Sequence, residues 1–135
     1  MTFYWLIKSE PAAWSWQDQQ AHHTTRWDGV RNYQANNNLK QMRLNDLCFF
    51  YHSVTEKKIM GIVRVVKTYY PDPSDSTGVF GSVDVAYERA LTNPVSLTTI
   101  KASPPLQHLA LVRQSRLSVI PIDHSSWELI LKLGQ

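Results

Sequence analysis

Short apolar segments separated by polar turns predict that this chain folds around a β-sheet. Runs rich in Val, Ile, Phe and Tyr are typical of strands, and they occupy residues 3–8, 46–52, 59–68, 82–90 and 117–122. A polar turn joins the second run to the third, which predicts a hairpin. Strands outnumber helices, so the economical architecture is a twisted or closed sheet with helices packed against it.

Four short helices are predicted from capping residues and from the spacing of apolar residues. Ser15 can cap a helix that runs to about residue 22, and Asp123 can cap one over residues 124–133. The other two helices are expected over residues 36–42 and 97–102. The expected fold class is therefore α+β, with five to six strands flanked by short helices.

Residues 25–34, T-R-W-D-G-V-R-N-Y-Q, form a loop-like run without hydrophobic periodicity. The rings of Trp27 and Tyr33 stand near Arg31 and Asn32, a combination that suits a flat heterocycle. Stacking contributes about 1–3 kcal/mol per base, and an asparagine can both donate to and accept from a base edge. The alternative interpretation is that Trp27 and Tyr33 only cover the core.

Length and composition are those of a single globular domain over residues 1–135, with 43% hydrophobic and 19% charged residues. No apolar run approaches the roughly 20 residues that span a bilayer, so no membrane partner is expected. The amino terminus is interpreted as the first strand rather than a signal segment. Cys48 is the one cysteine, which predicts a buried thiol and a reducing compartment, bacterial cytoplasm or eukaryotic nucleus.

The positive charge is concentrated in the first half of the chain. Residues 1–70 contain nine Lys or Arg and five acids, whereas residues 71–135 contain five and six. The net charge is +3 and the pI is near 9.1, values that many soluble proteins share. This asymmetry would turn one face toward a phosphate backbone, and such binding weakens as salt rises.

Signatures of catalysis and metal binding are absent from the sequence. His22 and His23 are neighbours without a cysteine or carboxylate at ligand spacing, so no metal and no cofactor is expected. The rival hypothesis is an enzyme in which Glu10, Asp28 or His52 performs acid–base work on a modified base or nucleotide. A third is a module that recognises RNA shape or a protein partner.

Two further groups stand at predicted strand ends, where backbone and side chains are free to meet a ligand. Ser9 and Glu10 close the first strand, and Lys8 could meet a phosphate there. Arg116 and Ser118 are two apart in a strand and so project to the same side, although a structural ion pair is the alternative for Arg116.

Six motifs in order along the chain resemble those of a known family. They are W-L-I-K-S-E-P at 5–11, R-W-D-G-V-R-N-Y-Q-A at 26–35, F-F-Y-H-S at 49–53, Y-P-D-P at 70–73, V-D-V at 83–85 and S-R-L-S-V-x-P at 115–121. On these residues the chain is similar to the EVE domain family of the PUA-like superfamily, which is distantly related to the YTH readers of methylated adenine.

The resemblance implies a PUA-like mixed β-barrel without catalytic activity, which accepts a modified base flipped out of DNA or RNA into an aromatic cage. The base is expected to be a methylated or hydroxymethylated pyrimidine. The pocket residues implied are Ser9, Glu10, Trp27, Asp28, Val30, Arg31, Asn32, Tyr33, Tyr51, His52 and Phe80. The phosphate or rim contacts implied are Lys8, Arg26, Arg113, Arg116 and Ser118.

Two positions depart from the family pattern. Asn36 stands where members often have arginine, which removes a possible phosphate contact. The loop after Tyr70 is shorter than in many relatives, and Phe80 takes the place of their tryptophan. The shorter loop and Phe80 bear on how the cage closes.

Overall fold

A computed structural model describes residues 3–135 as a six-stranded mixed sheet with five α-helices around it, which confirms the predicted α+β class. The strands are β1 (Tyr4–Ser9), β2 (Thr24–Trp27), β3 (Leu47–His52), β4 (Lys58–Pro71), β5 (Gly81–Ser96) and β6 (Val119–Ile122). The helices are α1 (Trp16–His22), α2 (Tyr33–Gln41), α3 (Leu97–Lys101), α4 (Ala110–Arg113) and α5 (His124–Leu133), with a 3₁₀ turn at Pro104–Leu106.

The strand order in the sheet is β2-β5-β4-β3-β1-β6. β1 pairs in parallel with β3, and the other neighbours are antiparallel. The predicted hairpin is confirmed as the β3–β4 pair. β1 and β3 lie inside the sheet and are apolar along most of their length, as expected for strands covered on both faces.

The helix starts predicted from capping residues are confirmed. The Ser15 side chain accepts from the backbone of Asp18, whose own carboxylate accepts from Ser15 N, so the two form a capping box at α1. Ser96 caps α3 and Asp123 caps α5 in the same way, each accepting a backbone N–H three residues later.

The interpretation of residues 25–34 as a loop is only partly correct. Thr24–Trp27 is strand β2, which pairs with β5 at one end of the sheet. Only Trp27 of its four residues is buried, so apolar alternation gave no signal. Helix α2 also begins earlier than predicted, because the Asn32 side chain accepts from Ala35 N and caps it at Tyr33.

The core lies between the sheet and the helices. The Trp127 ring of α5 stacks on Phe49 with 3.9 Å between centroids. Helix α1 lies so close to β4 that a Cβ at Gly61 would sit 2.2 Å from the Trp16 ring, so only glycine fits there. Cys48 is buried as predicted, and burial raises the pKa of its thiol. Within residues 3–135, no helix is long and apolar enough to cross a membrane.

Replacing Asp123 by alanine is expected to destabilise the protein by about 1 kcal/mol at pH 7, because α5 loses its cap. Burial raises the pKa of the Asp123 carboxyl, but hydrogen bonds from His108 and Ser126 outweigh it and lower the pKa to about 2. The contribution is therefore complete above the ordinary aspartate pKa of about 3.9 and is lost as the pH falls toward 2. Urea unfolding at pH 7 and pH 3 measures this difference.

The matched control is Glu128→Ala on the exposed side of the same helix, for which a change below about 0.5 kcal/mol is expected. A difference between wild type and Asp123→Ala that is as large at pH 2.5 as at pH 7 would contradict the capping role.

Candidate functional site

A cavity of about 540 Å³, the first cavity, opens where β1 ends beside β2 and the segment after it. Its lining combines aromatic, basic and acidic side chains with backbone. The lining residues are Lys8, Ser9, Glu10, Ala13, Trp14, Thr25, Arg26, Trp27, Asp28, Gly29, Val30, Arg31 and Ser118. The structure thus brings together the two predicted segments, 8–10 and 26–31, that stand far apart in sequence.

Two indoles line the first cavity. Trp27, the last residue of β2, has a relative exposure of only 8% and meets Phe50 edge-on at 5.6 Å, yet part of it borders the void. Trp14 is half-buried, and its Nε1 donates to Gln19 Oε1 at 2.9 Å. Trp27 thus packs on the core and also borders open space, and its role in stacking on a base stays a prediction.

A buried carboxylate fixes the chain that follows Trp27. Asp72 Oδ2 accepts from Gly29 N at 2.9 Å and from Arg31 Nη1 at 3.0 Å. Its Oδ1 accepts from the backbone and hydroxyl of Ser74 at 2.7 and 2.6 Å. Burial raises the pKa of Asp72, but these hydrogen bonds outweigh it and hold the pKa well below its usual range. Gly29 has φ +79°, a conformation that favours glycine.

The polar end of β1 forms the other side of the first cavity. Lys8 Nζ donates to Ser115 O at 2.8 Å, and burial lowers the pKa of the amine. The Ser9 hydroxyl donates to Trp14 O, and Glu10 O accepts from Trp14 N, so this turn positions the Trp14 indole. Ser9 therefore stabilises the turn that holds Trp14 in the cavity wall, whereas the Glu10 side chain is exposed and accessible to a ligand.

Asn32, Tyr33 and Phe80 were predicted for the pocket, but they lie beside the first cavity and do not line it. Asn32 is engaged as the cap of α2, which corrects its expected role at a base edge. Tyr33 is 69% exposed and packs on Phe80 at 5.3 Å. The Arg31 guanidinium lies 5.6 Å from the Phe80 ring and pairs with Asp72, so it supports the wall.

Asn36, a departure from the family pattern, is buried inside the fold. Its amide contacts the Tyr69 hydroxyl and accepts from Gly81 N at 2.9 Å. This side chain ties α2 to the start of β5 and is not positioned to meet phosphate.

A second cavity of about 580 Å³ adjoins the first and shares Lys8, Glu10 and Ser118 with it. Its lining is Lys8, Glu10, Tyr51, Ser53, Val54, Lys57, Leu97, Lys101, Leu111, Ser115, Arg116 and Ser118. A third cavity of about 330 Å³ is lined by Asn32, Gln34, Arg113, Gln114, Ser115, Arg116 and Leu117. Predicted contacts Arg113 and Arg116 lie there, and Tyr51 lies in the second cavity, so none of the three lines the first.

His52 is buried and outside the first cavity, which corrects its prediction as lining. Its Nε2 accepts from Trp16 N at 2.9 Å, and its Nδ1 is 2.8 Å from Glu56 Oε1. The enzyme hypothesis loses its histidine, because His52 is buried and does not line the cavity that Glu10 and Asp28 line. Within residues 3–135, His, Cys, Asp and Glu form no group of three or more that could hold a metal.

Four lining residues were not predicted: Ala13, Trp14, Thr25 and Gly29. Trp14 is the important one. Its signal was a tryptophan without periodic neighbours, three residues after the S-E-P segment that ends the first strand.

A model of the EVE domain family matches residues 3–133. Thymocyte nuclear protein 1 from Rattus norvegicus is 36% identical over 166 residues, which cover 98% of this chain and 74% of the relative. The Homo sapiens protein of the same name is 32% identical, covering 100% of this chain and 75% of its own. Since these alignments are longer than the present chain, the relatives contain additional residues inside the matched region.

Solved structures agree with this comparison. A protein from Rhodopseudomonas palustris has a TM-score of 0.93 at 43% identity and covers 98% of this chain and 93% of its own. The human THYN1 protein in complex with 5-methylcytosine-containing DNA has a TM-score of 0.92 at 32% identity, covering 99% and 98%. The YTH domain of a Zygosaccharomyces rouxii protein with N6-methyladenosine RNA matches at 0.56 and 15% identity, covering 99% and 87%, which shows the fold alone. The predicted PUA-like fold is confirmed.

Proposed function

Because this chain belongs to the EVE domain family, we propose that it is a non-catalytic module that reads a modified base in a nucleic acid. Residues 1–135 act as one domain, and the base is flipped into the first cavity. The human THYN1 structure with 5-methylcytosine DNA supports a methylated or hydroxymethylated pyrimidine as the ligand. The partner is a DNA or RNA strand that carries such a base.

The observation that carries the proposal is the pair of indoles, Trp14 and Trp27, on one cavity of about 540 Å³. A flipped base loses its stacking neighbours at a cost of a few kcal/mol. Stacking on an aromatic side chain returns about 1–3 kcal/mol per base, so the two indoles together with polar contacts can offset that cost.

Charge around the first cavity supports a nucleic-acid ligand. Lys8, Arg26 and Arg31 line it, against the acids Glu10 and Asp28. Arg26 is exposed, lies beside the Tyr70 hydroxyl and forms no ion pair with any residue of the described part of the chain, so its charge is not neutralised there. Glu10 and Asp28 can accept from the exocyclic amine of a cytosine, as carboxylates do at base edges.

The test is a panel of single-stranded nine-nucleotide oligomers that differ only in one central base: cytosine, 5-methylcytosine, 5-hydroxymethylcytosine, adenine or N6-methyladenine. Quenching of tryptophan fluorescence reports binding. We expect at least one modified cytosine to bind about tenfold or more tightly than cytosine, since one buried methyl group discriminates by about that factor. Mass spectrometry of the recovered oligomer should show unchanged mass.

Tyr33→Ala is the control variant, because it removes an exposed aromatic ring that lies beside the first cavity. It should preserve the wild-type preference for the modified base. Equal affinity of the wild type for every oligomer, or a change in the mass of a bound base, would overturn the proposal.

A further inference from the structure

The second cavity continues the first along one surface. Lys8, Glu10 and Ser118 form the wall that both share, so a ligand that fills one cavity can extend directly into the other. The two have similar volumes, about 540 and 580 Å³. Each therefore has room for one residue of a chain-like ligand.

Basic side chains dominate the second cavity. Lys57, Lys101 and Arg116 join Lys8 in its lining, and Glu10 is the one acid among the lining residues. Lys57, Lys101 and Arg116 are exposed. Among the ion pairs found across residues 3–135, none involves any of these four cations, so their charge is not neutralised within the described chain.

Two of these lysines are held near each other by the backbone. Lys57 lies in the turn between β3 and β4 with φ +51°, and its carbonyl accepts from Leu97 N at 2.9 Å. Leu97 begins the short helix α3, which ends at Lys101. The turn and the helix are thus tied together, which places both lysines on the same rim.

The lining of the second cavity also includes apolar side chains. Val54, Leu97, Leu111 and Tyr51 contribute apolar surface, and Val54 is 63% exposed. The Lys8 amine lies 5.8 Å from the centre of the Tyr51 ring. A nucleotide has the matching composition, with an apolar base and sugar and an anionic phosphate.

We propose that the second cavity binds the nucleotide next to the modified one on the same strand, with its phosphates held by Lys57, Lys101 and Arg116. This inference rests on the proposed function, because it assumes that the modified base occupies the first cavity. It adds a binding site whose key lysines lie outside every sequence motif that indicated the base pocket.

The test compares wild type with the double variant Lys57→Gln/Lys101→Gln. Two ligands are titrated across a range of salt: the nine-nucleotide oligomer with 5-methylcytosine, and free 5-methyldeoxycytidine, which has no phosphate and fills the first cavity alone. We expect the variant to bind the oligomer about tenfold more weakly at low salt. Its plot of log affinity against log salt should be shallower by about 1.4, since each single-strand phosphate contact contributes about 0.7. Nucleoside affinity should stay at the wild-type value.

The matched control is Lys67→Gln/Lys132→Gln, which removes the same charge from exposed lysines outside the three cavities. If the Lys57/Lys101 variant behaves like this control toward the oligomer while the wild type still prefers the modified base, the second site is wrong and the reader function stands. If the wild type lacks any preference but the Lys57/Lys101 variant alone loses oligomer affinity, the second cavity binds the strand, whereas the reader function and the place of that nucleotide beside a modified base are both wrong.

Discussion

Replacement of Trp27 by alanine is expected to lower the affinity for the modified oligomer by about 5- to 100-fold, the equivalent of one lost base-stacking interaction of about 1–3 kcal/mol. The indole borders the first cavity at the end of β2, where it is one of the two flat surfaces, with Trp14, on which a base could stack. Titration with modified and unmodified oligomers should show that the preference falls with the affinity.

Loss of stability is the confounding effect of this substitution. Trp27 packs on Phe50 and belongs to the core, so its truncation is expected to cost about 3–5 kcal/mol of folding free energy. Binding is therefore measured at a temperature at which circular dichroism shows the variant folded. Trp27→Phe keeps a flat ring and should retain most of the affinity. A folded Trp27→Ala protein with the wild-type preference would refute the stacking role.

Substitution of Asp72 by asparagine is the second change with a large expected effect. One carboxylate oxygen serves Ser74 and the other serves Gly29 and Arg31. An asparagine has an NH₂ group in place of one of these oxygens. Either the two Ser74 donors or the donors of Gly29 and Arg31 would therefore face another donor. We expect a loss of about 2 kcal/mol of stability and a drop in Tm of roughly 5–10 °C.

The effect of Asp72→Asn should depend on pH in a defined direction. Because the folded pKa of Asp72 is depressed, its contribution is complete above the ordinary aspartate pKa of about 3.9 and disappears progressively as the pH falls below it. The stability gap between wild type and variant, measured by urea unfolding, should thus be full at pH 7 and smaller at pH 3.

Glu88→Gln is the matched control for Asp72→Asn, since Glu88 pairs with Arg64 at the surface with 42% of its side chain exposed. Such exposed pairs contribute about 0–1 kcal/mol. The Asp72 variant should also bind the modified oligomer more weakly, because the segment after Trp27 loses its anchor. Equal stability of the two variants would show that Asp72 does not fix this segment.

Local rules predicted much of the fold because the signals are short-range. Ser15, Ser96 and Asp123 each accept a backbone N–H within three residues, so the sequence alone places these helix starts. The β3–β4 hairpin likewise follows from two adjacent apolar runs. Strand β2 was missed because its order comes from pairing with β5, almost sixty residues away, rather than from its own pattern.

The site was harder to predict because residue type does not show which partner a side chain has. Asn32 and His52 have the polar atoms of ligand-binding residues, but Asn32 Oδ1 and His52 Nε2 already accept from the backbone N–H groups of Ala35 and Trp16. Trp14 shows the converse. It was not predicted as a site residue, yet the turn that begins at Glu10 brings its indole to the first cavity. The resemblance indicated the segments that border the first cavity, and only the contacts separate the residues that line it from those that support them.

Because β2 lies at one end of the sheet, the wall of the first cavity that it forms is locally less stable than the centre of the sheet. A peripheral strand held by a single ladder opens at a smaller free-energy cost than interior strands such as β3. Under the proposed function, such opening would let the indole at its tip shift and admit rings of different bulk while the central strands stay in register. Tolerance for chemically related bases would then follow from the topology.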